Sequence, residues 1–275
     1  MPVIPPTVIV GLHGVLQRNP WFDRVVEQDE EGTVEEDVLG FAIDRAGSYG
    51  WQSLTSWLHE DGEVTARHEP TSWAHEEVGG DWTQDGRVHQ LAWLQAGVLT
   101  DPPRPGLPVR PISLVLAETL ARVGTVTFTG LHALLPLEAA ERNTAFHQTE
   151  LAPWFGLADP DARYEVVVTA SCHPEAGGMS ERDAAAVRDA VREMAQDAVD
   201  VSASAPGGGL PGLDLDLDRV LHTEGMREVM RLSCRTREWS PDIAVWLLEM
   251  VAEGLRRAGR LAPVVVTASL ASPPA

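Results

Sequence analysis

The sequence predicts an α/β or α+β protein, a two-layer sandwich with a mixed sheet covered by helices on one face. Three observations carry this expectation. The string Val-Val-Val-Thr-Ala-Ser occurs at 166–171 and again at 264–269, with looser relatives at 125–129 and 199–204. In all four, apolar residues alternate with small hydroxyls, the period-2 signature of half-buried strands. Three of the four follow almost directly on a helix-like segment.

Taken in chain order, residues 51–98 read as an N-terminal β-meander rich in Trp and His. Turn dipeptides Asp61-Gly62, Gly79-Gly80 and Asp85-Gly86 separate short strand-like runs. The acidic stretch 27–37 before it reads as a solvated loop. Residues 102–111 hold five prolines and read as an extended connector. The expected organisation is a β-rich region over 1–101, the connector, and a helix-and-strand region over 112–275; whether the two regions share one core is open.

Helices are expected over 112–123, 137–150, 180–198, 219–232 and 240–257. Ser240-Pro241-Asp242 supplies an N-cap, a Pro at the first helical position and an acid in the first turn. Ser180 with Asp183 resembles a capping box. Arg256, Arg257 and Gly259 suit a helix C-terminus. Strand–helix–strand units with short loops favour right-handed crossovers and partly parallel pairing.

Composition excludes several classes. The chain has 275 residues, 44% of them hydrophobic, and a net charge of −20. The sign opposes binding to nucleic acid and to anionic membranes. No apolar run reaches the length of a membrane span, and the N-terminus lacks a basic signal region. Two cysteines make no disulfide framework, so the cytoplasm is expected. All 21 basic residues are arginine. That points to the codon bias of a high-GC bacterium. It also rules out a PLP Schiff base on this chain, a Walker-type phosphate loop and a lysine general base.

Candidate chemistry is sparse. Cys172 and His173 end the first Val-Val-Val-Thr-Ala-Ser strand, where α/β active sites gather. His132 is a candidate base for a Cys172 nucleophile, although strand alternation aims Cys172 with the apolar side chains. Asp214, Asp216 and Asp218 alternate with leucines and offer carboxylates to a divalent cation. Arg227, Arg231 and Arg235 form an i, i+4 stripe: an ion-pair partner for those aspartates, or an anion site. The glycine-rich run 205–212 reads as a flexible loop or lid. The tripeptide Gly-Leu-His occurs at 11–13 and 130–132 and raises the question of an internal duplication; His13 and His132 would converge if their strands are neighbours.

Three readings follow. The first is a non-catalytic binding or assembly protein that meets a protein partner, or itself, through a Trp-rich or hydroxyl-lined sheet surface. The second is a small-metabolite enzyme with a pocket near His132, Cys172 and His173. The third is a divalent-metal protein.

Overall fold

The computed structural model describes residues 6–22, 42, 45–46, 51–53, 57–58, 64–65, 71–98, 106–140, 145–205, 207–220 and 222–272. Its strands are β1 (Thr7–Arg18), β2 (Trp51–Ser53), β3 (Trp57–Leu58), β4 (Val64–Thr65), β5 (Thr71–Gly79), β6 (His89–Val98), β7 (Gly124–Leu135), β8 (Tyr164–Cys172), β9 (Val199–Ala203), β10 (Arg227–Thr236) and β11 (Val264–Leu270). Its helices are α1 (Val109–Val123), α2 (Ala145–Phe155), α3 (Glu181–Ala195) and α4 (Pro241–Arg257). Nine strands form one sheet in the order β2-β5-β6-β1-β7-β11-β8-β10-β9, and β3 pairs with β4 apart from it. The helices cover one face, so the protein is an α+β sandwich. Among the described residues no helix is long and apolar enough to cross a membrane.

Neighbouring strands are antiparallel except at the edge, where β2 runs parallel to β5. The expected parallel pairing is corrected in an informative way. Each helix does return the chain parallel to the strand it left, but one position further on. The gap is filled by an antiparallel strand from elsewhere: β1 between β6 and β7, β11 between β7 and β8, β10 between β8 and β9, β8 between β10 and β11.

This split arrangement occurs twice. β8-α3-β9-β10-α4-β11 is a βαββαβ unit with sheet order β11-β8-β10-β9, the ferredoxin-like arrangement. β1, β5, β6, α1 and β7 repeat it in the order β7-β1-β6-β5, with Ala42, Arg45 and Ala46 helical between β1 and β5. The Arg45–Glu118 ion pair (2.7 Å) ties that segment to α1, as Arg257–Glu193 (3.0 Å) ties α4 to α3. The units meet edge to edge through β7 and β11. One apolar core runs beneath both, from Val8 and Val10 through Leu116 and Leu131 to Trp246 and Val266.

Local signals explain the helix boundaries. Ser180 accepts from the Asp183 N–H (3.1 Å) and Ser240 from the Ile243 N–H (3.4 Å), as their capping positions require. Gly259 takes a positive φ of 77° just past α4. The last residues of the expected connector, Val109–Pro111, already belong to the first turn of α1, and residues 102–105 lie outside the described residues. The helix expected over 137–150 is a short 3-10 turn, Leu137–Ala139, followed by α2.

The helix expected over 219–232 is not one. Residues 217–220 and 222–225 are turns and bends, and 227–236 are strand β10. Met230, Leu232, Cys234 and Thr236 are buried at period 2. A spacing of four fits both a helix face and a strand face, so the arginine stripe alone could not tell them apart.

Of the meander, β2 to β4 and much of β5 are described by backbone only. The acidic stretch 27–37, His59 and His68 lie outside the described residues.

Candidate functional site

The side of the sheet away from the helices carries a polar row. Sheet register aligns Trp93, Gly11, His132, Thr267, Thr169 and Arg231 on neighbouring strands β6, β1, β7, β11, β8 and β10. Both sequence echoes are explained here. The two Gly-Leu-His tripeptides pair with each other, Gly11 opposite His132 and His13 opposite Gly130. The two Val-Val-Val-Thr-Ala-Ser strings pair about Thr169 and Thr267, whose hydroxyls bond at 2.8 Å. An antiparallel pair has a local two-fold axis, so the same string on both strands meets the same environment twice. The echoes mark strand neighbours, and neither marks the repeated topology.

His13 and His132 do converge. His13 Nε2 lies 2.8 Å from His132 Nδ1, with both rings buried. The Asp214 N–H donates to His13 Nδ1 at 3.1 Å. That nitrogen therefore holds a lone pair, and the His13 proton sits on Nε2 and is donated to His132. The His132 proton is left on Nε2, a buried donor with no acceptor among the described residues. Burial pushes His132 down to about 4. Burial and the neighbouring imidazole hold His13 well below its ordinary value. Only glycine allows this packing: a Cβ on Gly11 would stand 2.2 Å from His132 Cε1.

The hydroxyl surface is closed at its centre by the β9–β10 connection. Thr129 Oγ1 donates to the Gly212 carbonyl (2.7 Å), and the Gly212 N–H donates to Ser269 Oγ (3.0 Å). Leu217, Val220 and Met226 pack on Ile9, Leu134 and Val265. Arg231, bonded to Glu228 at 2.7 Å, donates to the carbonyls of Gly208 and Gly209. The glycine-rich run is thus a tethered strap. Thr169, Thr267 and Ser269 beneath it are at most 2% exposed, whereas Thr125, Thr127 and Ser202 at the margins remain open.

The other candidates separate. Cys172 points to the helix layer, lining a cavity of about 260 Å³ with Met179, Leu255 and Val264, while His132 points to the strap; the sheet lies between them. His173 is half-buried beyond the strand end and does not line that cavity. Burial pushes the Cys172 thiol up despite the nearby Arg260. We expect Cys172 to react slowly with iodoacetamide at pH 7 and faster as pH rises, because the thiolate is the nucleophile. Rapid labelling at pH 7, followed by intact mass, would contradict this.

Asp214, Asp216 and Asp218 do not face the arginines. Asp216 accepts from the Asp218 N–H and Asp218 from the Gly225 N–H, each holding a turn. Arg227 donates to the Met226 carbonyl, and Arg235 pairs with Glu165 at 2.7 Å. Two of the three stripe arginines are therefore neutralised by glutamates, which removes the anion stripe. Among the described residues no group of three His, Cys, Asp or Glu could hold a metal ion.

A further exposed surface, not among the sequence candidates, lies at the end of α2. Phe155 turns inward and stacks on Trp246, ring centroids 4.7 Å apart. Trp154 turns outward at 66% exposure, and Leu157 follows at 81%. Glu150, Asp159 and Asp161 are exposed along the same stretch. The available signal was Pro153-Trp154-Phe155-Gly156, a proline and a glycine bracketing two aromatics that cannot both face the core.

No protein-family model, no curated protein and no solved structure matches the chain.

Proposed function

We propose that this chain is a non-catalytic binding protein of the cytoplasm that docks a basic protein partner on the Trp154–Leu157 surface. The exposure of Trp154 and Leu157 on a well-anchored helix end carries the reading. Tryptophan is the residue most enriched among interface anchors, and its inner neighbour Phe155 is locked on Trp246. The acidic residues around it, and a chain charge of −20, favour a basic partner and disfavour nucleic acid. Both cysteines are unpaired, as a reducing compartment requires. Of the surfaces suggested by the sequence, Trp82 is 1% exposed in the core and the centre of the hydroxyl row lies under the strap; the side chains of Trp51, Trp57 and Trp73 lie outside the described residues.

The test is a photo-crosslinking amino acid at position 157, used in the producing cell, with the adduct identified by mass spectrometry. We expect one basic protein as the main adduct, lost when Trp154→Glu is added. A crosslink to a second copy of the chain would replace this reading with self-assembly. No adduct above background would overturn it.

A further inference from the structure

A second cavity of about 260 Å³ lies in the helix layer, between α1, α2 and α4. It is equivalent to about nine water molecules at ~30 Å³ each, room for a small ligand only. Leu107, Leu135 and Leu151 give it an aliphatic wall. Its polar end is built from Arg110, Gln148 and Glu249, and His147 and the Glu253–Arg256 ion pair (3.1 Å) also line the cavity. Gln148 is 6% exposed, and its Nε2 donates to Glu249 Oε2 at 3.1 Å. Gln148 Oε1 is buried and has no donor among the described residues. Its backbone is fixed by the Trp246 indole N–H, which donates to the Gln148 carbonyl at 2.9 Å.

The charge at this end is under-compensated. Arg110 donates through Nη1 to Asp242 Oδ1 at 2.7 Å, while its buried Nη2 stands 3.5 Å from Glu249 Oε2 and has no hydrogen-bond partner among the described residues. Glu249 thus shares a cation that a nearer carboxylate already holds. Burial raises Glu249, against the pull of Arg110 and Gln148. An unused amide acceptor beside a carboxylate short of positive charge calls for a donor that carries charge. The chain holds no lysine to supply an ammonium from within.

We propose that this cavity binds a small primary ammonium on an aliphatic chain, the nitrogen donating to Gln148 Oε1 and Glu249 and the chain lying along the leucines. The site is independent of the Trp154 surface. Sequence held a trace of it: Glu249 and Glu253 fall three and seven residues after Trp246, on the stripe α4 turns inward, where Glu253 is 3% exposed.

Hexylammonium titrated into the whole protein by calorimetry tests the assignment, with 1-hexanol and hexanoate as probes of equal length. Saturable one-to-one binding of hexylammonium is expected, about tenfold or more tighter than 1-hexanol, as one charged hydrogen bond provides, and no binding of hexanoate. Gln148→Met, which removes the acceptor, and Ala252→Leu, which narrows the cavity, should each weaken binding about tenfold or more. If Gln148→Met does not fold, Ala252→Leu decides. Equal binding of amine and alcohol, absence of saturation, or undiminished binding by a folded variant overturns the proposal.

Discussion

Lowering the pH from 7 to 4 is expected to destabilise this protein by about 3 kcal/mol through His132 alone. The folded value near 4 lies about 2.5 units below the ordinary 6.5, at 1.36 kcal/mol per unit. The unfolded chain binds the proton more readily than the folded one between those values. Stability is therefore complete above pH 6.5, falls as the pH drops from there, and levels below about 4. His13 shifts in the same direction and steepens the fall. His89 opposes it. Burial pulls His89 down, but the Asp85 hydrogen bond and the carboxylates of Asp81, Asp85 and Asp214 leave it raised. Its contribution is present below 6.5 and is lost as the pH rises through its folded value. Urea denaturation at a series of pH values checks the slope. His132→Gln should flatten it, and imidazole NMR shifts for both rings should stay constant from pH 8 to 5.5. A folded protein whose stability is unchanged at pH 4.5 would contradict the buried neutral pair.

Gly212→Ala should cost about 1–3 kcal/mol, the range for forcing an extra methyl into a filled site. Its Cβ would stand 2.5 Å from the Thr129 carbonyl oxygen and 2.7 Å from Ser269 Oγ, atoms that cannot move without breaking the sheet or the two bonds that hold the strap. The loss should be accompanied by faster amide exchange over 208–220 and by exposure of Thr129 and Ser269. Gly209→Ala, where a methyl meets nothing within 4 Å, is the matched control and should be close to neutral. Equal effects at 209 and 212 would mean that the strap is not held at Gly212.

The secondary structure was legible where one periodicity excluded the other. The caps at Ser180 and Ser240 and the alternation in β7, β8, β9 and β11 are local facts, decided by residues within one turn or one strand. β10 was illegible because Arg227, Arg231 and Arg235 satisfy both periods. The candidate sites were less legible, since each depends on which distant residues meet. His13 and His132 meet because β1 and β7 are neighbours. Cys172 and His132 do not, because Cys172 falls level with Leu135, three positions along β7 from His132, and side chains an odd number of positions apart face opposite sides of a sheet. Trp154 and Phe155 show the limit most simply: two aromatics in one helix, one in the core and one in water, distinguished only by what packs against α2.

By itself, the sequence determined that helices lie on one face of a sheet, that lysine chemistry is absent, and that four strands carry hydroxyls on one side. Each rests on composition or on short-range pattern. The tertiary structure alone decided that each described crossover skips one position, that the same βαββαβ arrangement appears twice, and that the centre of the hydroxyl side is covered by a strap. Strand order is set by which apolar surfaces and backbone edges find one another across long stretches of chain, as Ile9 finds Leu134 and Thr169 finds Thr267. No local preference encodes that choice; only the packing of the whole chain does.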